Sequence, residues 1–124
     1  DYQTLFAKYN MSMSFLITPM TSDARIQLAD ELSDAFIYMV SQSSITGKKG
    51  EISTKQTEYF ERIEKMNLKS PRLIGFGIHD NKTYRTACDY SHGAIIGSAY
   101  IRALKDCDDV VAVTKKFVSS IRGN

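Results

Sequence analysis

The sequence predicts an α/β domain built on a parallel sheet, and three observations carry that prediction. Apolar runs of strand length alternate four times with segments whose apolar residues recur at helical spacing. Two of the runs, Met13 to Thr18 and Phe36 to Val40, read as strands covered on both faces, as in parallel sheets. The 124 residues, 43% hydrophobic and 24% charged, are one domain's worth of chain with enough apolar material for a core.

Tyr2 to Tyr9 reads as the end of a helix, with Leu5, Phe6 and Tyr9 at helical spacing. The apolar run Met13 to Thr18, stopped by Pro19, is the first strand. Ser22 is placed to cap the next helix, which runs to about Leu32 with Ala24, Leu28 and Leu32 on one stripe. Phe36 to Val40 is the second strand. The stretch Ser41 to Thr54 is polar and rich in Ser, Gly and Lys; at about fourteen residues it is long for a connection, and such loops usually carry function or disorder. Lys55 to Met66 is amphipathic, with Tyr59, Ile63 and Met66 on one face. Arg72 to Ile78 is the third strand, Asn81 to Cys88 a short helix and Gly93 to Ile96 the fourth strand. Gly97-Ser98 then opens a helix from Ala99 to about Lys105. The last helix, roughly Asp109 to Arg122, carries Val110, Val113, Phe117 and Ile121 on one face.

Four β/α units can close in two ways. The sheet stays open with helices on both faces, as in flavodoxin-like folds, or it forms part of an eight-stranded barrel, which typically takes about 250 residues. This chain has close to half that length.

Lys and Arg number 16 against 14 Asp and Glu, a formal charge of +2. So small and interspersed a charge argues against a nucleic-acid or membrane-surface protein. No apolar run approaches the roughly 18 residues of a membrane span, and no charged-then-apolar leader is visible. The expectation is a cytoplasmic protein in which Cys88 and Cys107 are reduced thiols. The sequons at Asn10 and Asn81 read as chance. Because the chain opens on Asp1, that terminus is expected to come from processing or from cutting a longer protein.

Three glycine-containing junctions fall at C-terminal strand ends: Thr46-Gly47, Gly75-Phe76-Gly77 and Gly97-Ser98. In both fold options ligands bind at that end of the sheet. Glycine there admits a close ligand and positive φ, and a helix starting at Gly97-Ser98 would aim its N–H groups and dipole at an anion. Tight turns alone would also use these glycines; two consecutive strand ends of this kind favour phosphate. Other candidates are weaker. Cys88 and His92 have zinc-like spacing but no second pair, so no metal site is expected. His79-Asp80 reads as a helix start more than as an acid/base pair. Thr46 to Gly50 lacks the leading glycine of a nucleotide loop. Tyr38, the one polar-tipped residue of its strand, is either a core tyrosine or a pocket residue. No pair of carboxylates stands at strand ends, so acid/base chemistry has no evident owner.

Several motifs together resemble one family. Ser14-Phe15-Leu16-Ile17-Thr18-Pro19, Thr21-Ser22, Ile37-Tyr38-Met39-Val40-Ser41, Ile45-Thr46-Gly47, Leu73-Ile74-Gly75-Phe76-Gly77-Ile78 and Ala94-Ile95-Ile96-Gly97-Ser98-Ala99 are similar, in order and spacing, to the tryptophan synthase α subunit. The resemblance covers nearly the whole chain but only the C-terminal half of the family's sequence. It implies strands five to eight of a (β/α)8 TIM barrel, and a lyase that splits indole-3-glycerol phosphate into indole and glyceraldehyde 3-phosphate. It also implies a partner, the pyridoxal-phosphate β subunit of an α2β2 complex, and no cofactor held by this chain itself. Carried over, Gly47, Gly77, Gly97 and Ser98 match the phosphate cradle, Phe76 and Ile95 the indole-pocket wall, Tyr38 a substrate-facing tyrosine and Thr46 the threonine of a mobile loop. Two positions depart: many members have glycine where Ser44 stands, and some have arginine where Gln42 stands. The family's catalytic glutamate and aspartate belong to the other half, so this chain alone is expected to be inactive. Half a barrel also has two unpaired strand edges; the chain is expected to self-associate, to close differently or to sit against its missing half. The readings set beside this one are a non-catalytic phosphate-binding module with a flavodoxin-like open sheet, and another phosphate-binding barrel enzyme.

Overall fold

Four short strands, β1 (Phe15–Ile17), β2 (Ile37–Val40), β3 (Arg72–Gly75) and β4 (Gly93–Ile95), form one parallel sheet in the order β1-β2-β3-β4. The computed structural model describes residues 2–41, 53–75 and 77–124. The strand order decides the closure. A doubly wound sheet needs a point where the order reverses, so that helices fall on both faces. Here the order is monotonic, and right-handed crossovers put every connecting helix on the same face. The flavodoxin-like arrangement is therefore not formed, and the sheet is a stretch of barrel wall.

That face holds the core. Ile17, Ile37, Met39 and Ile74 from the strands pack with Ile26 and Ala29 of α2 (Asp23–Leu32), with Tyr59, Phe60 and Ile63 of α3 (Thr54–Lys65) and with Ala87 of α4 (Asn81–Tyr90). Strand side chains alternate between faces, so Leu16, Tyr38, Leu73 and Gly93, followed by Val40, Gly75 and Ile95, line the opposite, inner face. Burial on both faces was the expectation for the strands. In β2, however, Ile37 and Met39 are buried while Tyr38 and Val40 are half-buried, and Leu16 of β1 is 60% exposed. An inner face is covered only by the opposite wall of its barrel.

The same geometry reassigns α2. Its buried residues are Ile26, Ala29 and Asp30, whereas Leu28 and Leu32 of the predicted stripe are exposed beside the free edge of β1. Ser22 occupies the N-cap position but makes no side-chain cap bond. The following helices start as their sequences dictate: Ser53 and Gln56 form a capping box at α3, and Asp80 and Thr83 another at α4. Beyond β4 come α5 (Ser98–Ala103) and α6 (Val110–Arg122), joined by a hydrogen bond between the Tyr100 hydroxyl and Thr114 Oγ1 (2.7 Å) and by the Tyr100–Phe117 ring contact. On α6, Ile121 is buried, Val113 and Phe117 are half-buried and Val110 is exposed. Ahead of β1, α1 (Tyr2–Lys8) carries no buried residue.

Candidate functional site

Gly75 pairs with Ile95, so Gly77 and Gly97 each stand two residues beyond a common pair, past the C-terminal ends of the neighbouring strands β3 and β4. Gly77 has φ +76°, a left-handed conformation that side chains other than glycine's resist. Its carbonyl oxygen lies 2.7 Å from His79 Nδ1. Gly97 is the N-cap of α5 with φ −105°, so positive φ explains Gly77 but not Gly97. A β-carbon on either glycine would meet nothing within 4 Å; the space before both is open. Ser98, exposed, opens α5. First-turn N–H groups lack intrahelical partners and favour anions.

Below these groups lies the inner face. Ile95 is half-buried in the row Val40–Gly75–Ile95. Tyr38, half-buried, leans over Gly75, where a β-carbon would come within 2.0 Å of the hydroxyl oxygen. The structure thus gathers Tyr38, Gly77, Ile95, Gly97 and Ser98 at one end of the sheet. Thr46, Gly47 and Phe76 lie outside the described residues. One contributor escaped the sequence reading: buried Ser41 donates both its N–H (3.1 Å) and its hydroxyl (2.8 Å) to the Gly75 carbonyl.

Electrostatics assign His79 and Asp80 to the framework. Hydrogen bonds from the Thr83 N–H and hydroxyl hold the Asp80 carboxyl below the ordinary carboxylate range, with the His79 imidazole 3.6 Å away adding to this. An exposed carboxylate so stabilised is a helix cap and a poor proton acceptor. His92 accepts the Arg72 N–H on Nδ1 (3.2 Å), at the opposite end of the sheet. Cys88 and Cys107 are free thiols, and among the described residues no group of three His, Cys, Asp or Glu could hold a metal ion. No described helix is long and apolar enough to cross a membrane.

Sequential β/α units on a helix-covered wall, with glycine junctions at the C-terminal strand ends, define part of a β/α-barrel protein. Residues 1–122 match the family model for the tryptophan synthase alpha chain. The tryptophan synthase alpha chain of Flavobacterium johnsoniae is 45% identical over 122 residues, covering 98% of this chain and 47% of that one. That of Flavobacterium psychrophilum is 46% identical over 121 residues, with the same coverage. Among solved structures, the tryptophan synthase α-subunit of Pyrococcus furiosus superposes with a TM-score of 0.79 at 21% identity, covering 99% of this chain and 49% of its own. A chain from a structure of the α2β2 complex of the same organism gives 0.81 at 22%, covering 99% and 50%; at such identities the likeness is one of fold. The chain belongs to the tryptophan synthase alpha chain family, and it spans about half the length of the curated relatives it matches.

Proposed function

We propose that this chain is the C-terminal half of a tryptophan synthase α subunit, and that the whole protein cleaves indole-3-glycerol phosphate to indole and glyceraldehyde 3-phosphate. The observation that supports the reading is the placement of Gly77, Gly97 and Ser98 just past the ends of two adjacent strands, beyond the Gly75–Ile95 pair. In this reading the N–H groups there cradle the phosphate. Tyr38 and Ile95 face the organic part of the substrate, and Thr46, Gly47 and Phe76 complete the set. Splitting the carbon–carbon bond needs one group to protonate the ring carbon and another to take a hydroxyl proton. Among the described residues the inner face offers Leu16, Tyr38, Val40, Leu73, Gly75, Gly93 and Ile95, none of them a carboxylate. In this reading, as the family resemblance implies, the acid and the base belong to the other half, and this half works inside a cytoplasmic α2β2 assembly with a pyridoxal-phosphate β subunit.

The test is a mixing assay in which indole release from indole-3-glycerol phosphate is followed for each half and for both. Activity only in the mixture is the expected result. Activity in this chain alone overturns the assignment of acid and base. A silent mixture, once co-folding is verified, replaces the lyase by a non-catalytic phosphate-binding module.

A further inference from the structure

We infer that Arg62 is a positioning residue, which fixes the turn after β1 and so shapes the side of the site that faces the substrate's ring rather than its phosphate. The inference rests on the lyase reading above. From α3, Arg62 Nη2 donates to the carbonyl oxygens of Pro19 (3.3 Å) and Thr21 (3.1 Å). Its Nη1 lies 3.7 Å from Asp23, and its Cζ sits 5.7 Å from the Tyr59 ring centroid. The Asp23 pair is too solvated to carry much. The two carbonyl bonds have an ionised donor and are the stronger tie. The side chain is part-exposed, yet its Nε is buried with no partner, a cost that an arginine serving only solubility would avoid by staying in water.

The turn it holds is small and otherwise local. The Thr18 N–H donates to Thr21 Oγ1 (3.0 Å), the Met20 N–H to Thr18 Oγ1 (3.2 Å) and the Thr21 N–H to the Thr18 carbonyl (3.0 Å). β1 is a strand of only three residues, so its ladder anchors the turn over a short length. Ile17 pairs with Met39, which sets Thr18 level with Val40 in the row that continues to Gly75 and Ile95. The glycines beyond β3 and β4 lie on the far side of that row. A displaced turn therefore disturbs the pocket for the ring and leaves the phosphate end alone. Both bonds leave the one nitrogen Nη2, whose two hydrogens are fixed in the guanidinium plane, whereas a lysine offers a freely rotating point charge.

The experiment uses the full-length protein with Arg62→Met and Arg62→Lys. Its readouts are amide exchange, steady-state kinetics on indole-3-glycerol phosphate and binding of glycerol 3-phosphate, a probe that has the phosphate and lacks the ring. For Arg62→Met, exchange at Thr18, Met20 and Thr21 should quicken on the order of tenfold with α3 unchanged. KM should rise on the order of tenfold with kcat and glycerol 3-phosphate affinity within about twofold, a loss smaller than misplacing a reacting group brings. Arg62→Lys should fall between the variant and the parent. Unchanged exchange at the turn, exchange raised throughout the protein, or equal losses for both ligands overturn the inference. A parent protein with no lyase activity refutes the functional reading instead, and turn exchange then decides the tether by itself.

Discussion

The phenol of Tyr38 on β2 lies against the bare α-carbon of Gly75 on β3: a β-carbon there would stand 2.0 Å from the hydroxyl oxygen and 2.3 Å from Cζ. Tyr38 pairs with Leu73, so Gly75 is the next residue of β3 on the same face, and the ring leans along the strand toward the candidate site. Ser41 grips the Gly75 carbonyl from the end of β2. Gly75 is thus a seat for the tyrosine rather than a ligand contact, and β2 and β3 are locked together at the level where the pocket begins.

Gly75→Ala is expected to destabilise the protein by about 1–3 kcal/mol, the usual cost of overpacking, and to displace the ring. In a Tyr38→Ala background the same change should cost less than about 0.5 kcal/mol, because the clashing partner is gone. Urea unfolding of the four proteins in the cycle measures this. Equal costs in both backgrounds would show that the ring and the glycine do not compete for one space.

Gly97 separates binding from folding. Its φ of −105° suits any residue, and a β-carbon would meet nothing within 4 Å. Gly97→Ala should leave stability within about 0.5 kcal/mol while weakening glycerol 3-phosphate on the order of tenfold, as a methyl group occupying ligand space does. Gly77→Ala, at φ +76°, should lose about 1–2 kcal/mol through backbone strain whether or not a ligand binds there. If titration calorimetry finds Gly97→Ala binding as tightly as the parent, Gly97 is no part of a phosphate cradle.

Local signals made much of this molecule legible. The apolar runs marked all four strands, and Asp80, which reads as a helix start, caps α4; Ser53, which caps α3 with Gln56, lies in the stretch that reads as a loop. Gly77 showed itself through the Gly-x-Gly spacing. What stayed hidden depends on distant chain. Leu28 and Leu32 look like a core stripe, yet they face the open edge, which periodicity cannot distinguish from a buried side. Arg62 meets Pro19 and Thr21 across 43 and 41 residues. The role of Gly75 exists only once the neighbouring strand brings Tyr38 over it.

Asp30 should set part of the acid sensitivity. Burial pushes its pKa up, but the N–H groups of Lys69 and Ser70, both at 2.8 Å, with the Ser70 side chain and the Lys69 ammonium, pull it below the ordinary value on balance. A folded pKa below the unfolded one means stability that is fully present above the unfolded pKa of about 4. It drains as pH falls through the lower, folded value. Asp30→Ala orphans two backbone donors beside β3 and should cost about 2–3 kcal/mol at neutral pH. In Asp30→Asn, stability measured from pH 6 down to pH 2 should fall less steeply than in the parent. Parallel acid limbs would mean that this carboxylate titrates alike in the folded and unfolded chains.

The free edge of β1 should govern association. Between it and α2 runs a groove of about 590 Å³ lined by Leu16, Met20, Leu28 and Leu32 among others, and Leu16, Met20 and Leu28 are 60%, 87% and 52% exposed. An unpaired parallel edge beside an apolar groove is a template for another chain. In sedimentation, the weight-average mass of the isolated chain should therefore rise with concentration above its 14.0 kDa. Leu16→Lys with Leu28→Lys should hold it near that mass, by placing charge on the inner face and on the helix that flanks the edge. An excess of the complementary half should also end self-association, because the strand preceding β1 in the barrel would claim the same edge. A chain that stays at 14.0 kDa at every concentration, and does not change when that half is added, would show that the groove and edge bind neither.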